Sequence, residues 1–243
     1  EDEARLSAVG VEASFHAPHG LIGDLGGSSL EFKQIGGKAE RGESLMLGPL
    51  SLVEGDIDLK TLRKTIRAEL KTSDVLARSS GRFYAVGGAW RTIAKLNMQL
   101  ENYALQVLQG YQLSKTQVDK VAKLCFDSLT NSTARAMLES IDKRRAKHLP
   151  VAAMLLQEIL ATGRLEGVTI SSAGLREGVL RDALGAPAHD PLMDGAIAFA
   201  RLDKNQILFG EALHEFIAPA LAPEPDLFGS PAADTRIEKA ACM

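Results

Sequence analysis

Residues 20–34, Gly-Leu-Ile-Gly-Asp-Leu-Gly-Gly-Ser-Ser-Leu-Glu-Phe-Lys-Gln, hold the residue types best suited to chemistry. A short apolar strand runs into Asp24, a Gly/Ser turn follows, and a second, alternating strand carries Glu31. Consecutive glycines let successive backbone N–H groups point into one concave nest and remove the side chains that would keep an anion away. Gly26, Gly27, Ser28 and Ser29 are therefore candidate phosphate-binding residues. Asp24 and Glu31 flank the turn, where both could face the same ligand through a divalent cation, since Mg²⁺ is typically held by one or two carboxylates plus phosphate oxygens. The same stretch also reads as a plain β-hairpin closed by a glycine turn.

The elements that must position this turn are legible in order. Residues 1–12 predict a short helix with acids in its first turn, where they complement the helix dipole. Strands are expected over 21–25, 30–35 and about 39–47, with Gly36-Gly37 between the second and third, which makes a three-stranded meander. Asp56 or Asp58 then caps a helix whose Leu59, Leu62, Ile66 and Leu70 recur at spacings of three and four. A strand over 82–86 leads through Gly87-Gly88 into a helix over 89–100, a second place where backbone amides and a helix N-terminus face an anion. Ser114-Lys-Thr-Gln117 is a capping-box pattern that starts a helix with Val118, Val121, Leu124 and Cys125 on one face. Another helix is expected over 131–140. The run Asp142-Lys-Arg-Arg-Ala-Lys-His148 is the densest positive patch, either a guide for a polyanion or a solvated face. Pro150 opens an apolar helix over 151–161, ended by Gly163. A strand over 168–171 turns through Ala173-Gly174 into a helix over 175–184, a third unit of strand, small-residue turn and helix. After residue 187 the composition changes. Helices are expected from Asp190 and over 210–220, the latter with Leu213, Phe216 and Ile217 inward, followed by a Pro- and Ala-rich stretch over 222–234. This C-terminal piece is too small for a sound core of its own.

Composition limits the alternatives. The 243 residues are 45% hydrophobic and 24% charged, with a formal net charge of −3, an ordinary balance for a chain with a real core. No global basic field exists to hold nucleic acid, so a polyanion must be gripped by local groups. The two cysteines, Cys125 and Cys242, have neither ligand spacing nor a disulfide framework. No stretch has the length of a membrane span, and neither an exported nor an inserted protein is expected; a reducing cytoplasm fits. Both ends read as interrupted helices, so the sequence is expected to be part of a longer protein. His16 and His19 read as surface residues, and His148, His189 and His214 lie at no metal-ligand spacing. Arg176 and Glu177 are expected to form a structural ion pair.

Asp24-Leu-Gly-Gly-Ser-Ser-Leu-Glu31 resembles the Asp-(Ile/Leu)-Gly-Gly-Gly-Ser-Thr-Glu loop of the exopolyphosphatase and guanosine-pentaphosphate phosphohydrolase (Ppx/GppA) family. Three further ordered segments resemble that family: Glu1-Asp-Glu-Ala-Arg-Leu6, Val86-Gly-Gly-Ala89 and Ser171-Ser-Ala-Gly-Leu-Arg-Glu-Gly-Val-Leu180. The resemblance implies an α/β chain: a ribonuclease-H-like lobe of the acetate kinase, sugar kinase, heat-shock 70 and actin superfamily. That lobe, the second of two, would cover 1–186, and the start of a helical extension would cover 187–243. It implies that a first lobe with its own phosphate loop precedes Glu1 and completes the cleft, and it leaves a homodimer open. By the same resemblance Glu3 is the general base, Asp24 and Glu31 hold Mg²⁺ or its waters, and Gly26, Gly27, Ser28, Ser29, Gly87 and Gly88 hold phosphate. The implied reaction is removal of terminal phosphate from inorganic polyphosphate. Guanosine pentaphosphate, a substrate tied to the stringent response, is the close alternative. A nonenzymatic phosphate sensor and an ATP-driven kinase or chaperone lobe are the other readings. Three positions depart from the family pattern: Ser28 for a third glycine, and Leu30 and Ala89 each for a threonine whose hydroxyl would contact phosphate or its waters.

Overall fold

A computed structural model describes residues 2–15, 18–36, 42–52, 58–185, 191–200, 203–220 and 241–242. The expectations that fall on His16, Gly37, the start of the third strand, Asp56, Pro187, His189, Asp190 and the stretch 222–234 lie outside these residues. The chain divides into two units, Glu1–Asp182 and Ala183–Met243.

The first unit is built on one mixed sheet. Helix α1 (Asp2–Glu12) leads to strands β1 (Gly20–Leu25), β2 (Leu30–Ile35) and β3 (Glu43–Leu45), which form the expected antiparallel meander. Short helix α2 (Pro49–Leu52), helix α3 (Leu59–Leu70) and short helix α4 (Asp74–Arg78) connect to β4 (Ser80–Val86), which pairs parallel with β1. Helix α5 (Gly88–Leu100), edge strand β5 (Gln112–Ser114), α6 (Lys115–Asp127), α7 (Ser132–Asp142), α8 (Leu149–Thr162), β6 (Arg164–Ile170) and α9 (Leu175–Ala183) complete it. The strand order is β3-β2-β1-β4-β6-β5, with β6 parallel to β4 and β5 antiparallel to β6.

Alternation along the strands assigns the two faces. Leu21, Leu25, Leu30, Phe32, Phe83 and Ala85 enter the main core with α3, α5, α6 and α8, while Ile22, Ile35, Tyr84 and Val86 pack against Ala8 and Val11 of α1 on the other face. Helix α8 is apolar nearly all round and accordingly lies inside the helical layer, where Ala152 O accepts from Trp90 Nε1 at 3.0 Å. Cys125 belongs to this core, and burial pushes its thiol up to about 12, so it is no nucleophile. Asp58 caps α3 by accepting from the Lys60 and Thr61 amides, and the Ser114–Gln117 capping box is present.

Several local expectations are corrected. The strand expected over 168–171 starts at Arg164, because Leu165 enters the core ahead of the apolar run and a bulge in the pairing with β4, opposite Gly81 and Arg82, brings Val168 to the same side. Strand β5 and the short helices α2 and α4 carry too few residues for a periodic signal. Helix α4 is held largely from outside: Glu43 of β3 accepts from the Asp74 and Val75 amides, each at 3.1 Å. Arg176 and Glu177 do not pair, since adjacent helical residues diverge by about 100°; Glu177 Oε2 instead accepts from the Gly174 amide at 2.9 Å.

In the second unit, α10 (Pro191–Ala200) and α11 (Lys204–Ile217) are helical, the latter opened by an Asp203–Gln206 capping box. That cap sets the start six residues ahead of the expected Gly210. Phe216, expected to face inward, is 83% exposed.

Candidate active site

The parallel strands β1, β4 and β6 all end at one edge of the sheet, where α/β sheets usually place their ligands. Asp24 sits at the end of β1 and Glu31 at the start of β2, as direct cross-strand partners, so both carboxylates lie on the α1 face. Helix α1 crosses that face. The buried Ser7 hydroxyl donates to Asp24 Oδ2, and Glu3, one turn earlier on the same stripe, is exposed at the rim. The Glu3 carboxylate raises the proton affinity of both Asp24 and Glu31, and Asp24 raises that of Glu31. Burial is the largest cause of the upward shift at each. At Asp24 the Ser7 bond and the Arg91 guanidinium oppose it; at Glu31 the Ser29 and Ser44 hydroxyls do, Ser44 Oγ donating to Oε1 at 3.2 Å.

The turn Gly26–Ser29 is both a hairpin and a nest. Gly26 N–H donates to Ser29 O at 3.0 Å, which closes the hairpin. The turn's carbonyls are tied from behind: Leu50 N–H donates to Gly27 O at 2.8 Å, and Gly48 N–H and Ser51 Oγ donate to Ser28 O at 3.0 and 2.8 Å. Among the described residues nothing accepts from the amides of Gly27, Ser28 or Ser29. Carbonyls fixed on one side and open amides on the other suit an anion. The second turn abuts the first. Gly87 has φ 119°, and a Cβ there would lie 2.6 Å from Leu25 O, so only glycine brings the start of α5 against the end of β1. Helix α5 has no side-chain cap, which leaves its first amides open. The third turn differs, since Glu177 has taken the Gly174 amide.

Two arginines join the site that the sequence did not assign to it. Arg91, in the first turn of α5, reaches Gly87 O at 3.4 Å and pulls on Asp24. Arg145, from the basic run, lays its guanidinium over Gly88: a Cβ there would meet Arg145 Nε at 2.6 Å. Asp142 accepts from Arg145 Nη1 and holds it in place. The cationic run reads in the sequence as either a polyanion guide or a solvated face, and the meeting of Arg145 with Gly88 depends on how the segment after α7 packs on α5.

The departures Leu30 and Ala89 take a different meaning. Leu30 is fully buried in the main core, on the face opposite Glu31, and Ala89 packs partly buried against that core. Leu30 therefore faces away from the turn's open amides, contrary to the expectation of a phosphate contact at that position. Leu30→Thr, which restores the family residue, is therefore expected to destabilise the chain by about 2–3 kcal/mol through lost apolar volume and a buried hydroxyl; thermal unfolding checks this.

The acids fit a divalent cation held jointly with a ligand. Among the described residues no three His, Cys, Asp or Glu side chains form a metal-holding group by themselves. Glu31 Oε2, however, is buried without a hydrogen-bond partner beside two further carboxylates. Such an orphaned oxygen in a repulsive cluster suits a cation whose remaining ligands are water and phosphate. A stability test follows from the directions of the shifts. Asp24 and Glu31 have raised folded-state proton affinities, so the folded chain holds these protons more tightly than the unfolded one. Their contribution is most favourable below the unfolded values near pH 4 and is lost as pH rises through the folded ones. Asp24→Asn, which can still accept from Ser7, is expected to raise the melting temperature at about pH 7 and to have little effect at about pH 4. Added Mg²⁺ is expected to protect the parent at neutral pH more than this variant.

A sheet of order β3-β2-β1-β4-β6-β5, with small-residue turns at the ends of its parallel strands, defines a ribonuclease-H-like α/β fold. The chain belongs to the Ppx/GppA phosphatase family, whose model matches residues 1–186. It is similar to an exopolyphosphatase from Cytophaga hutchinsonii, with 22% identity and a TM-score of 0.63 over 75% of this chain and 63% of that one. A Ppx/GppA family member from Aquifex aeolicus matches with 24% identity and a TM-score of 0.62 over 78% and 64%. Retrograde regulation protein 2 of Saccharomyces cerevisiae is 26% identical over 261 residues, 91% of this chain and 44% of that protein. The chain thus spans less than two thirds of the length of each of these relatives.

Proposed function

We propose that this chain forms one wall of a Mg²⁺-dependent phosphoanhydride hydrolase site that removes the terminal phosphate of inorganic polyphosphate, with guanosine pentaphosphate as the close alternative substrate. The observation that carries this reading is the pairing of two open amide turns with an acid cluster at one sheet edge. A second lobe of the same protein closes the cleft. In this reading the amides of Gly27, Ser28 and Ser29 take oxygens of the terminal phosphate, and the start of α5 at Gly87-Gly88 takes those behind it. Arg145 and Arg91 add positive charge there. Phosphoryl transfer asks for little covalent help, so positioning and charge neutralisation dominate. The exposed Glu3 carboxylate orients a water in line with the bridging P–O bond and accepts its proton as the new P–O bond forms and the bridging bond breaks, which releases orthophosphate and leaves the shortened polyphosphate with the bridging oxygen and its electron pair. Asp24 and Glu31 hold the cation, which when bound neutralises charge on the phosphate oxygens.

A second reading, a phosphate-ligand sensor without turnover, is favoured by the regulatory name of the yeast relative and by Ser28 where the family pattern has a third glycine. Phosphate release from polyphosphate by the full-length protein and by its Glu3→Gln form separates the two. Release well above background that falls in the variant supports the hydrolase; equal background rates in both reject it and leave the sensor.

A further inference from the structure

Helix α1 buries a stripe of small residues, Ala4, Ala8, Gly10 and Val11, with Ser7 among them. Ser7 is the one polar side chain of that stripe and is fully buried. A hydroxyl taken out of water costs stability unless it is bonded, and a helical serine can satisfy itself on the carbonyl one turn back. Ser7 Oγ donates instead to Asp24 Oδ2 at the end of β1, 17 positions along the chain. The third turn lies beside the same oxygen, since a Cβ at Gly174 would lie 3.9 Å from Asp24 Oδ2. Oδ2 is thus walled in by α1 and the third turn, and among the described residues no donor reaches Oδ1. Glu31 repeats the pattern: Ser44 Oγ donates to Oε1, while Oε2 is buried without a partner.

We propose that Ser7 is a positioning residue for the cation: it fixes Asp24 so that the carboxylate offers a single oxygen, which favours Mg²⁺ over Ca²⁺. The proposal rests on the cation-dependent reading of the site. Mg²⁺ is small and demands near-ideal octahedral geometry, whereas Ca²⁺ takes about six to eight oxygens and readily accepts a carboxylate through both of its own. A carboxylate already held in one orientation loses less freedom when the cation arrives. Hydrogen bonds that orient a metal-binding side chain are typically worth about 10–100-fold in metal affinity. Burial makes the Ser7 hydroxyl hard to replace, because water can stand in at the exposed Ser44 but has no access to Ser7.

The test is titration of the full-length protein with MgCl₂ and, separately, with CaCl₂. Melting temperature reads cation binding without turnover, and phosphate release from polyphosphate is followed against MgCl₂ in parallel. Ser7→Ala is expected to raise the MgCl₂ concentration of half effect about tenfold in both measurements, with the rate at saturating MgCl₂ kept within a few fold. The CaCl₂ concentration of half effect is expected to change less than about threefold, so the preference for Mg²⁺ narrows. In an Asp24→Asn background, Ser7→Ala is expected to add less than about twofold to the MgCl₂ requirement, because the carboxylate it positions is gone. An unchanged or lowered MgCl₂ requirement in Ser7→Ala overturns the proposal. Equal losses for the two cations, or an equal loss in the Asp24→Asn background, also overturn it and make Ser7 a packing residue. A parent whose melting temperature does not respond to MgCl₂ removes the cation reading itself, whatever Ser7→Ala does.

Discussion

Glu3→Gln in the full-length protein is expected to lower phosphate release by about 10²–10⁴-fold, the range for a positioned general base, while substrate affinity stays within a few fold. Glu3 is exposed at the rim, one turn before the Ser7 that anchors α1 to Asp24, so the substitution removes a proton acceptor without opening the core. It also removes one of the charges that raise the proton affinities of Asp24 and Glu31, so the folded state is not expected to suffer. Single-turnover rates and equilibrium binding, measured side by side, check the expectation. A fall in rate with affinity retained assigns Glu3 to the transition state; a parallel loss of affinity makes it a ground-state contact instead.

Gly178→Ala is expected to be the most damaging single substitution outside the main core. A Cβ at Gly178 would lie 1.8 Å from Leu6 O, and one at Gly10 would lie 2.1 Å from Gly174 O, so α1 and α9 cross with backbone against backbone. The obstacle is a carbonyl of a regular helix, which cannot rotate away as a side-chain tip would. The helices must separate, and the expected cost is about 3 kcal/mol or more, a fall in melting temperature of about 6–12 °C for a unit of this size. Separation also moves Ser7 and Glu3 away from Asp24, so phosphate release should fall even at temperatures where the variant is folded. Gly195→Ala is the control: nothing lies within 4 Å of a Cβ there, and helix propensity favours the change by about 0.5–1 kcal/mol. Equal melting temperatures for the parent and Gly178→Ala would show that the crossing is not tight.

The two expectations bear on one design. Helix α1 brings the candidate base to the sheet edge, and α9 fixes where α1 lies. Arg5 of α1 donates to Asp182 of α9 at 2.9 Å, but both side chains are about half exposed, so the pair adds little beside the glycine crossing.

By itself the sequence determined the hairpin around Gly26–Ser29, the presence of an acid on each side of it, the second turn at Gly87-Gly88, and the helices whose stripes or capping boxes are complete. Those features are local: strand alternation has a period of two, helices a period of 3.6, and glycine turns act over a few residues. The family motifs extended that reading to Glu3, although no local pattern links α1 to a strand many residues later. Only the tertiary structure decided which face each side chain meets. The packing of Leu30 against the core turned an expected phosphate contact into a stability residue. It also brought Arg145 onto Gly88, turned the Ser7 hydroxyl onto Asp24, and made Gly178 the contact between two helices. Each depends on how separate elements pack, because side chains distant in the chain meet only after hydrophobic faces have chosen their partners.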